Sequence, residues 1–455
     1  MKVKWWQSFW RKPARSMFMA LIAITWLTAL FKKLIQCGFV CAASMWFVGS
    51  VQGADDRREY QHGIEFISAS DSAHWLFWSS SSGNRPRGKK ITILPDGSTC
   101  QYFTHDVYYS RLDHNRPEIA ARAIVSLPEA QEPVSAAASP EGTVLLTFED
   151  GSDSSITDDC EGEIQQRYMM FDSELTAKTP LRTVSVAGAH SGHVAAVGGQ
   201  FVIVYSEGWV EGGGDSDFGT GKAVYLDVVN VQGELLKHRA VAKDAHLRAW
   251  WPLIAGSSRY VIVLWQRYVN NSHRAILMYA MYDPVADHFL KPPTALQSEV
   301  YYYHYDVQYL ASINRYLVAG NQLGDMLRKS DHGAIALKTQ KGFMYLLDER
   351  GEIVDHWSAI HTCQRCSGIH THPFVREAQP AVFEDVGNVH VLYPVKPNGA
   401  VLFSLTAHTI TQSKYIPDDY YWHSLGTDGI FLDRNTAYFA SLSPLGLQTR
   451  TIRID

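Results

Sequence analysis

Beyond the N-terminal region, apolar positions fall in short bursts separated by tight turn signals. EPVSAAASPEGTVLLTFED (132–150), HSGHVAAVGGQFVIVYSE (190–207), RAWWPLIAGSSRYVIVLWQR (248–267), YDVQYLASINRYLVAGN (305–321) and REAQPAVFEDVGNVHVLYP (376–394) share one plan. Each holds a small-apolar run, a turn, and a β-branched run, which reads as a pair of strands. A third run ending in an acid or a turn follows, as in RYMMFDSEL (167–175), AVYLDVVNVQGEL (223–235), AILMYAMYDP (275–284) and FMYLLDERGEI (343–353), and then a short fourth. No long segment past the N-terminus carries a helical apolar period. The pattern predicts an all-β chain.

Four short antiparallel strands recurring at roughly 50–70 residues define a β-propeller, because one such unit cannot bury both faces without neighbours. Seven units are counted, with second strands centred near Leu76, Leu145, Ile203, Val263, Val318, Val391 and Phe439. The last unit has three strands, and residues around Ala54 to His62 are predicted to supply its fourth. N- and C-terminal strands then share one blade, and closure leaves no long edge exposed. Residues 54–455 read as a single propeller domain. Over most of 130–410 the unit resembles the degenerate blades of exported bacterial propeller proteins, in which a P-x-h-A-x-x-G-x-x-h-h-V-h-W pair precedes a D-x-x-G turn. Pro252 and Pro380 match its proline, whereas His193 and Gln308 depart from it. Tryptophan-aspartate, kelch, sialidase Asp-box and quinoprotein signatures are absent, so the resemblance carries no catalytic residues across.

Propeller topology turns the connections into a geometry. Turns between first and second strands (SPEG, GG, SSR, INR) and between third and fourth (DSEL, VQGE, DERGE) are minimal. The long segments 79–103, 150–163, 207–222 and 321–340 join second to third strands, and 359–375 leads into a first strand, so all of them leave one face. Long loops on a rigid scaffold are where binding concentrates. The face carries Asp150 and further acids to Glu163, Glu207 to Asp217, and the aromatics Trp78, Trp209, Trp250, Trp251, Tyr305, Tyr421 and Trp422. Acids mixed with aromatics suit sugars or cationic peptides. The plainer alternative makes the acids a solvated rim and the aromatics filling between blades.

His190, His193, His246 and His304 fall at or just before first strands, where imidazoles converging on the axis could hold Zn, Cu or Fe if at least three meet. Polar plugging of the channel is the competing role. HTCQRCSGIHTH (361–372) pairs a C-x-x-C with histidines, which reads as zinc in a reducing compartment and as a small disulfide loop in an oxidising one. Ser367 after Cys366 excludes the usual haem attachment.

Composition sharpens the picture in one respect: with net charge −5 and 19% charged residues, the chain of 455 residues offers no basic footprint for nucleic acid. The N-terminal 53 residues stand apart. Apolar runs 16–31 and 34–48 flank Lys32-Lys33, and each is short against the ~20 residues of a membrane span. Lys32-Lys33, the run 34–48 and Val51-Gln52-Gly53 fit a secretory signal cleaved before Ala54. An uncleaved anchor is the alternative, and either way membrane contact is confined to this segment. A periplasmic or extracellular location follows from export, and there Cys100, Cys160, Cys363 and Cys366 become candidates for disulfides; of the three possible pairings, Cys100–Cys160 joins loops of adjacent blades and leaves Cys363 and Cys366 to pair locally. The functional expectation is an exported propeller binding a glycan or protein ligand on its loop-rich face. The alternative is a metal-assisted hydrolase or lyase using axial histidines and rim carboxylates; no cofactor is certain, and an enzymatic role stays undecided.

Overall fold

The computed structural model describes residues 62–454 apart from 71, 81–87, 94–98, 105, 128–130, 151–164, 209–220, 245–246, 270–274, 323–340, 362–379, 386–387, 395–399, 407–408, 417–426 and 444–445. The chain divides into two units, 1–55 and 56–455, and everything described belongs to the second.

The described residues form antiparallel blades whose strands pair in chain order. Blade 1 is built from β1 (His62–Ser70), β2 (Ala73–Ser80), β5 (Asp106–Asp113) and β6 (Arg122–Val125), with the hairpin β3 (Gly88–Ile93) and β4 (Thr99–Thr104) inserted between its second and third strands. Blade 2 holds β7 (Ser135–Ala138), β8 (Val144–Asp150), β9 (Gln165–Phe171) and β10 (Arg182–Thr183). Blade 3 holds β11 (Ala189–Val197), β12 (Gln200–Glu207), β13 (Ala223–Asn230) and β14 (Leu235–Lys243). Blades 4 and 5 share a strand: β15 (Leu247–Gly256), β16 (Val261–Val269) and β17 (Ala275–Asp283) lead into β18 (His288–Leu310), and β19 (Arg315–Gln322), β20 (Lys341–Leu347) and β21 (Ile353–His361) follow. Blade 6 is β22 (Ala381–Asp385), β23 (Asn388–Pro394), β24 (Ala400–Thr406) and β25 (Thr409–Ile416), and blade 7 is β26 (Thr427–Asp433), β27 (Thr436–Ser443) and β28 (Gly446–Arg453).

Seven blades are therefore present, as the sequence predicts. The fourth strand expected for blade 7 lies outside the described residues, save His62, which opens β1 and pairs with Ser79. The ring closes through its first strands, each touching the next: β1, β7, β11, β15, β18, β22, β26 and back to β1. Leu76 and Trp78 of blade 1 pack against Ala440 and Leu442 of blade 7, and Leu112 against Ile430 and Tyr438, so the last seam is an apolar one.

Burial explains the sequence pattern. Second and third strands lie between neighbouring blades and are covered on both faces, so VLLTFED and AVYLDVVN are buried almost throughout and read as unbroken apolar runs. Outer strands such as β14, LLKHRAVAK, meet solvent and are correspondingly mixed. Polar clamps fasten adjacent blades at repeated positions. The hydroxyl of Tyr168 on β9 donates to the carbonyl of Gly233 in the next blade at 3.0 Å, and Tyr279 on β17 donates to that of Gly351 at 3.0 Å. Buried Asp227 accepts from the backbone and hydroxyl of Ser185 and from Tyr205, joining blades 2 and 3.

Candidate functional site

Where the first strands converge, a cavity of about 120 Å³ opens on the axis, lined by Gly63 to Glu65, Pro133 to Ser135, His193, Trp251, Asp306 to Gln308 and Asp428 among others. It lies toward the leading ends of β1, β7 and β26, the end from which the second-to-third connections also leave. One water needs at least about 10–15 Å³, so the cavity has room for several waters or for a small polar group.

Three carboxyl groups face this cavity, and each is held by the backbone of the next blade. Glu65 on β1 accepts from the N–H of Ala136 on β7 at 2.6 Å. Asp306 on β18 accepts from Val382 N–H on β22 at 3.1 Å and from Val307 N–H at 2.8 Å. Asp428 on β26 accepts from Phe66 N–H on β1 at 2.8 Å and from Gly429 N–H at 2.7 Å. Their registers match, since Glu65 pairs with Phe77, Asp306 with Ala319 and Asp428 with Ala440, each on the second strand of its blade. In blade 2 the hydroxyl of Ser135 plays the same part, accepting from Val194 N–H on β11 at 3.2 Å. A carboxyl has about four acceptor directions, so these anchors fix the groups and leave capacity toward the cavity.

Enclosure controls their charge. Burial pushes Glu65 up to about 8, opposed by the Ala136 N–H and reinforced by Asp428 and Asp306. Burial likewise raises Asp428 to about 7, against the donors Phe66 and Gly429, and Asp306 to about 6, against Val382 and Val307. His193 on β11 moves the other way, down to about 4, because burial outweighs its hydrogen bonds to the carbonyls of Ser191 and Pro252 and the nearby charge of Glu149. The imidazole is neutral near pH 7.

The wall between blades 3 and 4 is shaped by two β-bulges. Register shifts separate His190 from His193 and Trp250 from Leu253, and Ser191 and Trp251 take left-handed φ values of 57° and 51°. Such a φ is unfavourable for a bulky side chain, so the surroundings must impose it. Ser191 N–H donates to Glu149 at 2.5 Å, Gly192 N–H to Gln166 at 2.9 Å, and the Tyr305 hydroxyl donates to the Trp251 carbonyl. The bulges bring the His193 ring edge-on to Trp251, with centroids 5.6 Å apart. In blade 1 Gly63, at φ 75°, passes so close to blade 2 that a Cβ would sit 2.4 Å from the Val134 carbonyl oxygen.

Placed against these walls, the residues singled out from sequence fall in several different settings. His193 and Trp251 line the cavity. Trp78, Trp250 and Tyr305 are buried to 1% exposure or less, so the stacking platform expected of them is replaced by packing between blades. Asp150 is buried as well, accepting from Gln131 at 3.2 Å beside Arg167 at 3.7 Å, which makes it an internal ion pair instead of a rim acid. Glu207 ends β12 in a half-buried position. Buried His190 sits 3.3 Å from Glu149, away from the cavity lining. Trp209, Tyr421, Trp422, His246, Cys160, Cys363 and Cys366 lie outside the described residues, as do the side chains of His304 on β18 and Cys100 on β4. Among the described residues no group of three or more His, Cys, Asp or Glu is placed to hold a metal.

Glu65, Asp306 and Asp428 went unnoticed in the sequence, although a signal exists. In GIEFI, YDVQY and TDGIF one acid sits inside a first strand at a corresponding register, which aligning the first strands of the units would expose.

No family model matches this chain, and no curated protein matches it. Among solved structures it is similar to a protein of unknown function from Dyadobacter fermentans, at 10% identity and a TM-score of 0.47, covering 87% of this chain and 95% of that one. It is also similar to an ulvan lyase, a polysaccharide lyase, at 9% identity and 0.48, with coverage of 87% and 95%. A third similarity is to an α-L-arabinofuranosidase from Fusarium graminearum, at 9% identity and 0.42, with coverage of 70% and 92%.

Proposed function

We propose that this chain is a carbohydrate-binding β-propeller and that the axial cavity takes one sugar unit of a glycan. The observation that carries the reading is a polar cavity of about 120 Å³ on the loop-rich side, walled by three anchored carboxyl groups with acceptor capacity to spare. Sugar hydroxyls need donors and acceptors together, and carboxyls that hold protons near neutral pH offer both. Trp251 and the aliphatic stretch of Leu253 and Ile254 supply an apolar side. Trp209, Tyr421 and Trp422 remain candidates for stacking on further sugar units outside the cavity, and export through residues 1–53 remains part of the reading.

Gln308 provides the test, because it lines the cavity and is only half-buried. Gln308→Trp places a large side chain in the space from a position that the core does not enclose. Saturation-transfer NMR against a panel of glycans should show binding to the wild type that the variant loses while keeping its melting temperature. Equal binding by both proteins would place the ligand elsewhere.

One observation favours a second reading: Glu65 at about 8 and Asp306 at about 6 share a cavity, the separation that an acid and a base need. On it the protein is a glycan hydrolase or lyase in which Glu65 gives a proton and Asp306 takes one. Turnover of a bound glycan with a bell-shaped rate between those values supports it; binding without turnover limits the chain to recognition.

A further inference from the structure

We propose, resting on the reading of the cavity as a saccharide site, that its ligand is an amino sugar whose protonated amine sits among Glu65, Asp306 and Asp428. The wall is one-sided in charge. Carboxyl groups come from β1, β18 and β26, and no Lys or Arg occurs among the described lining residues. Among their described residues the other strands add no cation: β7 presents Ser135, β15 presents Trp251, Leu253 and Ile254, and β11 presents His193, whose imidazole is neutral with Glu149 behind it. From β22 the Val382 N–H reaches Asp306, and among the described side chains of that strand no titratable one lines the cavity.

Repulsion between these acids shows in two of them, since Asp428 and Asp306 both raise Glu65, and Asp306 raises Asp428. An ammonium placed between them pairs with an ionised carboxylate and relieves that repulsion, a charge-assisted contact stronger than a neutral hydrogen bond. A uronate or other acidic sugar meets the reverse, a like charge enclosed without a counter-cation. A neutral sugar gains hydrogen bonds alone. The order of affinity is therefore amino, neutral, acidic. Ammonium binding also favours ionised carboxyls, so part of a proton leaves a carboxyl for solvent as the ligand enters.

Isothermal titration of the full-length protein with glucosamine, glucose and glucuronate reads these statements directly at pH 6.5, more than a unit below the ~7.7–8.0 of an α-amino group, where the glucosamine amine enters already protonated. Glucosamine should bind about tenfold more tightly than glucose, the equivalent of ~1.4 kcal/mol, and glucuronate more weakly than glucose. The glucosamine heat should differ between phosphate and HEPES, whose ionisation enthalpies differ, and Asp306→Asn should narrow the glucosamine-to-glucose ratio. Glucose binding with no preference for glucosamine would overturn the amine assignment and leave the saccharide site standing. Failure of all three sugars to bind would overturn the site itself and the proposal with it.

Discussion

Glu65 is the described carboxyl most altered by folding, and its effect on stability has a definite sign. A carboxyl whose pKa is raised by the fold contributes stability below its ordinary pKa and loses it as pH rises through the folded value. For Glu65 that range runs from 4.5 to about 8, and for Asp428 from 3.8 to about 7. His193, and His74 on β2, which burial and the neighbouring His114 ring likewise lower, have the opposite slope, their contribution being present above 6.5 and lost as pH falls toward about 4. Above pH 6.5 the histidines stop changing, so the slope from there to about 8 belongs to the acids. Urea midpoints should fall across that window in the wild type, and Glu65→Gln, which keeps an acceptor for Ala136 N–H, should flatten the fall. An unchanged slope in the variant would mean that Glu65 is ionised in the folded protein. At Asp428 the neighbouring group decides the outcome: Asp428→Ala strands the Phe66 N–H and should cost about 1–3 kcal/mol, whereas Asp428→Asn preserves an acceptor and should recover most of it.

At the scale of strands, blades 3 and 4 meet most closely where β15 passes β11. A Cβ added to Gly256 would lie 2.6 Å from the Ala196 carbonyl oxygen and 3.3 Å from the Ala195 side chain. Gly256→Ala should therefore lower stability by about 1–3 kcal/mol through overpacking, read from denaturant unfolding. Loss of sugar binding with it would tie the cavity to this seam. Strand pairs were legible because second and third strands, covered on both faces, leave continuous apolar runs that solvent-facing segments do not. Two elements were hidden for different reasons. GKKITI and TCQYFT pair as a hairpin, and the Pro-Asp-Gly between them is a turn signal in the sequence that was absorbed into a long loop. The uninterrupted β18 has no Gly or Pro between Thr294 and Leu310 to break it, yet the four-strand period predicts a turn there. The axial acids were missed for a third reason: taken singly, an acid in a strand reads as solvent-facing, and only aligning the first strands brings the three to one register.

Across the whole molecule, the ring is held shut in the described residues by apolar packing between blades 1 and 7, reinforced by Phe66 N–H on Asp428. Trp78, expected from sequence on the rim, is the largest side chain in that seam, so Trp78→Ala should cost about 3–5 kcal/mol and lower cooperativity if the ring opens there first. N-terminal sequencing of the secreted or periplasmic protein tests the export reading, with a first residue near Ala54 expected and retention of the run 34–48 contradicting cleavage. The central claim concerns the axis, and a crystal structure of the protein soaked with glucosamine tests it most directly. The account predicts one sugar in the axial cavity, with hydrogen bonds to Glu65, Asp306 and Asp428 and its apolar side toward Trp251. Sugar bound on the outer loops, with the axial cavity holding only water, would contradict it.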